Sequence, residues 1–343
     1  MQPIPCALIG LGHISNAHLQ AIAACKDGLQ LVAVCDPSIE KARKIAQELN
    51  VAAYNDPRQL LAQESPELMI LCTPNGLHAE QGILATNHGC HVLTEKPIAV
   101  TQADAEQLIR ACHHHSVNLM VVMQLRFLPT VLALKRCIDE GRLGRIYFAQ
   151  CNLFWTRPQS FYDESKWRGS RKLDGGMFVN QGIHYLDLMQ WMLGEVESVQ
   201  SISATLGRSI ETEDTGAVLL KWRSGTIGSF NETMLTYPKN METSLTILGE
   251  KGSVRLAGNG LNQFTHWEVE GGLPRPETVE NFHAHTAYYQ HVVRVLRHGE
   301  PPLVSGEESM KSLQLVAAIH EASLPDRIVP IVLNRYKSIS IGT

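Results

Sequence analysis

No run in this chain stays apolar for the roughly eighteen residues that crossing a bilayer requires, and no basic residue precedes Lys26. Secretion and membrane insertion are therefore not expected, which leaves a cytoplasmic address. An excess of one charge is missing as well: 30 Lys and Arg stand against 34 Asp and Glu, a formal charge of −4 without any long basic run. Neither nucleic acid nor an anionic membrane is an expected partner, and any anionic ligand must be met by local cations. The 8 cysteines contain no CxxC pair and no Cys-His cluster, and read as small buried hydrophobes in a reducing compartment. In His113-His114-His115, successive residues of a helix point in three directions, so the run is not expected to hold a metal. Internal repeats and low-complexity segments are absent.

What is present is an ordinary globular composition, 44% hydrophobic and 19% charged over 343 residues, long enough for two domains. Ile4 to Ile9 is a short apolar run leading into Gly10-Leu11-Gly12-His13-Ile14-Ser15 and then a helical pattern. Strand, glycine turn and helix in that order make a dinucleotide cradle: Gly10 permits the tight turn, Gly12 lets the backbone approach a pyrophosphate, and the positive helix end receives it. Ser15 replaces the third glycine of the usual pattern. A second strand, Leu29 to Cys35, ends in Asp36, placed to accept hydrogen bonds from ribose hydroxyls and to repel a 2′-phosphate, which favours NAD over NADP. An N-cap role before helix 38–49 is the alternative for Asp36. Leu68 to Cys72 is a third strand, followed by Thr73-Pro74-Asn75 and a helix that carries His78. Cys90 to Thr94 leads into Glu95-Lys96-Pro97, and helix 101–115 with strand 118–123 closes a first domain at 1–123. Pro97 biases Lys96 towards extended backbone, at the carboxyl edge where such sheets bind ligands.

Beyond Gln124 and a helix from Leu128 to Glu140 the pattern turns β-rich. Strands are expected near 145–156, 196–206, 215–222, 226–234, 243–248, 252–257 and 263–269, with short turns between them, hence a largely antiparallel sheet. Helices are expected at 179–193, 285–298 and 306–323, in a second domain spanning 124–343. The first of these places Asn180, His184 and Asp187 four and three residues apart, on one face beside an apolar stripe. Such a face suits a cleft wall, although a lone histidine on such a helix is more often a satisfied structural residue.

The Gly10-Leu11-Gly12 turn, Asp36, Thr73-Pro74-Asn75, Glu95-Lys96-Pro97, Trp167-Arg168, Gly175-Gly176 through His184 and Asp187, and Gly249-Glu250-Lys251-Gly252-Ser253 together resemble the glucose-fructose oxidoreductase and inositol dehydrogenase family (Gfo/Idh/MocA) over nearly the whole chain. The resemblance implies an α/β fold: an N-terminal Rossmann domain with a doubly wound parallel sheet, then a C-terminal α/β domain with a large open, mostly antiparallel sheet through which members form homodimers or homotetramers. It implies NAD held by Gly10, Gly12, His13, Ile14, Asp36, Thr73, Asn75, His78, Glu95, Gln124, Trp167 and Arg168, with the nicotinamide between Lys96 and His184, and it allows a cis peptide before Pro97.

A closer resemblance, in Asn152-Leu153-Phe154-Trp155-Thr156-Arg157-Pro158-Gln159, Tyr162, Trp167-Arg168-Gly169, Asn180-Gln181, Glu213-Asp214-Thr215-Gly216 and Met234-Leu235-Thr236-Tyr237-Pro238-Lys239-Asn240, is to the WlbA-type dehydrogenases. These oxidise the 3-hydroxyl of a UDP-N-acetylglucosaminuronate-type sugar. The likeness implies a nucleotide-sugar substrate, with Lys96, Tyr162, Asn180 and His184 as candidate contacts; for its anionic groups Arg126, Arg157 and Arg168 are the available cations, and a structural ion pair is the alternative for each of them. Many family members carry aspartate where this chain has Asn180. An amide binds a hydroxyl but takes no proton, so Lys96 and His184 are the catalytic candidates. His184 as base beside a cationic Lys96, and the swapped arrangement, both stand. So do two other functions: another sugar or cyclitol dehydrogenase, and a non-catalytic NAD- and sugar-sensing protein.

Overall fold

The computed structural model describes residues 2–324 apart from 259, 278, 280 and 281; the stretch 325–343 of the expected second domain lies outside the described residues. Six parallel strands form the first sheet: β1 (Ile4–Ile9), β2 (Leu29–Cys35), β3 (Ala52–Tyr54), β4 (Leu68–Leu71), β5 (His91–Thr94) and β6 (Leu119–Val121), in the order β3-β2-β1-β4-β5-β6. Helices α1 (Ser15–Ala24), α2 (Ile39–Leu49), α3 (Pro57–Glu64), α4 (His78–Thr86) and α5 (Gln102–His114) connect them. All four residues of β4 are buried, as a parallel strand covered on both faces requires. The strand order reverses between β1 and β4, which opens a crevice at their carboxyl ends. β3 and α3 were not expected from the sequence: Ala-Ala-Tyr is short, lies at the sheet edge and is only half-buried, so it carries no alternation to read.

After α6 (Pro129–Asp139) the chain builds β7 (Ile146–Phe154), α7 (Gln159–Asp163), α8 (Ile183–Leu193), β8 (Val196–Ala204), β9 (Thr215–Trp222), β10 (Ile227–Thr233), β11 (Glu242–Gly249), β12 (Gly252–Ala257), β13 (Gln263–Val269), α9 (Ala284–His298) and α10 (Gly306–Ala322). The second sheet runs β13-β12-β11-β7-β10-β9-β8, antiparallel throughout except where β7 meets β10. Strand β9 alternates strictly: Gly216, Val218, Leu220 and Trp222 are buried, while Leu219 on the opposite face is 59% exposed. Ile202, Ile227 and Leu248 are likewise exposed.

Two departures from the expected layout shape the site. The helix expected over 179–193 opens as a wider π-turn, Phe178–Gly182, before α8 proper. Gly175 and Gly176 enter it at φ 87 and 103, backbone that only glycine adopts readily. The extra residue in that turn shifts the expected shared face: Asn180 meets Lys96 and Asp174, while Asp187 is taken by Arg126 and Ser312. The second departure is that α9 packs on α1, and α10 on α5 and β8, so the two closing helices tie the end of the described chain back to the first sheet. Tyr288 of α9 donates to the Val121 carbonyl at 2.6 Å.

Candidate active site

The glycine turn is built as a nucleotide cradle. Gly10 has φ +90, and a Cβ there would stand 2.5 Å from the Cys72 carbonyl of the neighbouring strand end, while Gly12 has open space around it. Ser15 takes the third glycine's place by turning inward to donate to the Gly12 carbonyl at 2.7 Å. Helix α1 has no side-chain cap and no acidic residue in its first turn, so the amides near His13 and Ile14 are left for an anion. Asp36 accepts from Leu11 N–H at 2.9 Å and Ser38 N–H at 3.0 Å, which fixes its carboxylate at the carboxyl end of β2. The N-cap of α2 is Ser38, not Asp36. Lys41 stands 3.6 Å from Asp36 but is 45% exposed, a weak surface pair. The residues fit NAD.

Lys96 leaves β5 through a cis peptide to Pro97 and reaches across to the π-turn, where Nζ donates to the Asn180 carbonyl at 2.5 Å and to its side-chain oxygen at 3.2 Å. The Asn180 amide donates in turn to Asp174, which also accepts from Gly169 N–H at 2.7 Å. Burial pushes the Asp174 carboxyl up to about 6 against those two hydrogen bonds. Burial likewise lowers the Lys96 ammonium, against the pull of Glu95, Asp174 and Glu232. His184, on the first turn of α8, is held neutral: burial first, then the Lys96 charge, push it down to about 3. Its Nδ1 is enclosed and without a partner. Lys96, Asn180 and His184 are thus brought together.

Arg157 stacks over Trp155 and Phe161, donates to its own Thr156 carbonyl at 2.8 Å, and has no carboxylate within ion-pair distance among the described residues. Burial lowers its guanidinium and also pushes the Tyr162 hydroxyl up to about 12. Arg168 lies 4.0 Å over the Phe161 ring and donates to the Phe161 carbonyl and Glu164, with Trp167 beside it. Arg208 joins this group unforeseen, its Nε donating to the Arg157 carbonyl at 2.6 Å.

Several expected contacts are not supported. Arg126 is 2% exposed and forks onto Asp187 with two bonds of 2.7 Å, with Glu308 at 3.1 Å, so it is a buried ion pair and not a free cation for substrate. It lines a cavity of about 580 Å³ with Trp191 and Leu315 that includes none of Lys96, Asn180 and His184. His78 is fully buried between the Pro97 and Thr73 carbonyls, at 2.7 and 2.9 Å, and braces the Lys96 loop where a cofactor contact was expected. Asn75 is enclosed too, donating to the Asp174 carbonyl at 2.8 Å. Glu95 is occupied on both oxygens, by His18 Nε2 at 2.8 Å and by Lys96 N–H at 3.2 Å, which makes it a positioning group. Despite its burial, the His18 hydrogen bond and nearby His285 hold its carboxyl well below the usual range. Thr73 remains at the crevice, donating to Gln81 at 2.7 Å, and Gln124 keeps an enclosed, unpartnered side-chain amide oxygen, Oε1.

His18, His285 and Glu232 escaped the sequence reading. His18, Glu95 and His285 place their ligand-type atoms within 4.8 Å of one another, but hydrogen bonds to His18 and to the Lys96 N–H already account for the carboxylate. Glu232 on β10 is 1% exposed, with both oxygens enclosed and unpartnered behind Gly182, and burial, then Glu213, push its carboxyl well above the usual range.

Residues 4–123 match the family model for the oxidoreductase NAD-binding Rossmann fold, and residues 135–331 match the model for the oxidoreductase C-terminal α/β domain. The chain belongs to the Gfo/Idh/MocA oxidoreductase family. It is an NAD-dependent dehydrogenase acting on CH–OH groups of sugars or polyols. It is 26% identical to D-apiose dehydrogenase of Paraburkholderia graminis, across 95% of this chain and 89% of that one. It is 25% identical to the NAD-dependent scyllo-inositol 2-dehydrogenase of Bacillus subtilis, across 91% and 92%. Among solved structures, the WlbA dehydrogenase of Bordetella pertussis, in complex with NADH and UDP-GlcNAcA, is 41% identical with a TM-score of 0.88 over 97% of this chain and 100% of that one. No helix among the described residues is long and apolar enough to cross a membrane.

Proposed function

We propose that this dehydrogenase oxidises the 3-hydroxyl of a UDP-N-acetylglucosaminuronate-type sugar to the ketone. The observation that carries this reading is Arg157: a cation that acts, like Lys96, on buried Glu232, stacked on Trp155 and Phe161 and paired with no carboxylate among the described residues, as a site for a carboxylate- and phosphate-bearing sugar requires. The 41% likeness to an enzyme solved with NADH and UDP-GlcNAcA supports it; the curated inositol and glucoside dehydrogenases at 24–25% define the wider class.

NAD, when bound, supplies the hydride acceptor. The protein's part is the proton and the orientation. Burial, and then the Lys96 charge, keep His184 neutral. His184 then accepts the hydroxyl proton, while the Lys96 ammonium, with two of its donors fixed on Asn180, turns the third to the developing alkoxide. Trp167 and Arg168 remain candidates for the cofactor, and Asn180 and Tyr162 orient hydroxyls. The open face of the second sheet, with Ile202, Leu219, Ile227 and Leu248 exposed, is where two or four copies join.

The test is to incubate the protein with NAD and UDP-GlcNAcA and locate the new carbonyl by reducing the product with borodeuteride. Deuterium at carbon 3 is expected; deuterium elsewhere, or none, refutes the assignment.

A further inference from the structure

Each alcohol oxidised frees a proton that must reach solvent, yet the group that takes it is enclosed. His184 is 9% exposed and its Nδ1 faces no partner. Beyond Glu95 stands His285, in the first turn of α9, whose Nε2 is also enclosed and unpartnered, 3.8 Å from the Glu95 carboxylate and too far for a hydrogen bond. A charge on His285 would add to what keeps His184 neutral, after burial and the Lys96 charge. His285 also lines a cavity of about 470 Å³ between α1 and α9, bounded by Gln20, Ala24, Gln124 and His283, of which Gln20, Ala24 and His283 are exposed.

We propose that His285 is the proton relay that carries the substrate's proton from His184 to that cavity. This rests on the dehydrogenase reading of the site. His184 takes the hydroxyl proton on its cleft-facing nitrogen and gives up the proton on Nδ1. Through intervening water, that proton reaches His285 Nε2, and His285 releases its other ring proton to water in the cavity. Both rings end neutral with their tautomers exchanged; the C–H pair leaves the sugar carbon with the hydride, and the O–H pair becomes the second bond of the C=O.

The surrounding groups suit this role. Glu95 is a fixed anion, clamped by His18 at 2.8 Å and by the Lys96 N–H at 3.2 Å, so it stabilises the transient His285 imidazolium without carrying the proton. His18 is itself tied to the Tyr289 hydroxyl at 2.6 Å and stands edge-on to His285 at 5.3 Å. A ring with one nitrogen inside and its body on a solvent-reaching cavity is what a relay needs.

The experiment follows NADH absorbance and the colour of a pH indicator together in a stopped-flow instrument. The substrate is UDP-GlcNAcA, or whichever sugar of a UDP-sugar and cyclitol panel the wild type oxidises. In the wild type, proton release should keep step with NADH. In His285→Ala and His285→Gln the first turnover of NADH should change by less than about twofold, proton release should lag at least about fivefold, and steady-state kcat should fall roughly tenfold. Added imidazole should restore the timing in His285→Ala, a rescue that a purely structural role does not give. Unchanged NADH affinity by fluorescence titration shows that the variants fold. Proton release in step with NADH in both variants, or a kcat loss that imidazole leaves untouched, overturns the relay. Turnover of a sugar other than UDP-GlcNAcA by the wild type displaces only the substrate assignment, whereas no NAD reduction with any sugar overturns the dehydrogenase reading and the relay together.

Discussion

Lys96 and His184 divide the chemistry by their surroundings: the one is a donor fixed on Asn180, the other a neutral imidazole held down by burial and by that same charge. Replacing either by alanine should lower kcat by about two orders of magnitude, the usual scale for a positioned acid or base, with NAD affinity by calorimetry little changed. A variant retaining more than half the activity would reassign its residue as structural. Single residues were legible in the sequence where their signal is local. Gly10, Asp36 and Lys96 each follow a strand that announces itself. Arg126 misled because its partners Asp187 and Glu308 lie 61 and 182 residues away, and a sequence displays a cation without displaying its counter-ion. His18 and His285 were invisible for the same reason, since what makes them matter is a carboxylate on another element.

At the scale of elements, the π-turn Phe178–Gly182 is the part that the sequence hid. Its hydrophobic spacing reads as ordinary helix, while the cause lies in the glycines before it and in Glu232 behind it: a Cβ on Gly182 would meet Glu232 Oε2 at 2.4 Å. Because burial raises the Glu232 carboxyl well above its ordinary value, the folded protein keeps a proton that the unfolded chain loses. Its contribution to stability is therefore fully present below the ordinary glutamate range and falls as pH rises towards the folded value, by up to about 1.4 kcal/mol per pH unit. Glu232→Gln removes this dependence. The stability of the variant relative to wild type, measured by urea unfolding, should grow from pH 5 to pH 8; a difference that stays flat over that interval would mean that Glu232 is ionised in the fold. The strand and helix pattern was otherwise readable, because a parallel sheet of short apolar runs and a strictly alternating β9 each carry their own period.

At the scale of the whole molecule, helix contacts cross the expected boundary at 123. Helix α9 returns to α1, and through it His285 reaches the site from the far end of the chain. The exposed sheet face makes a separate claim. Leu219→Asp with Ile227→Asp places two charges on apolar positions 59% and 54% exposed, which should shift sedimentation from an oligomer to the monomer with the fold intact by circular dichroism. An unchanged sedimentation coefficient would locate assembly elsewhere. The central claim is that the site reads a uronate. UDP-GlcNAcA and UDP-N-acetylglucosamine differ only in a carboxylate against a hydroxymethyl group, and a site that pairs an anion leaves its cation unpaired with the neutral sugar, a penalty of about 3 kcal/mol or over a hundredfold. The decisive measurement is the ratio of kcat/KM for these two sugars with NAD, in the wild type and in Arg157→Ala. A wild-type preference for the acid above a hundredfold, collapsing in the variant through loss of uronate turnover alone, is the predicted result; equal kcat/KM values for the two sugars in the wild type would contradict the account.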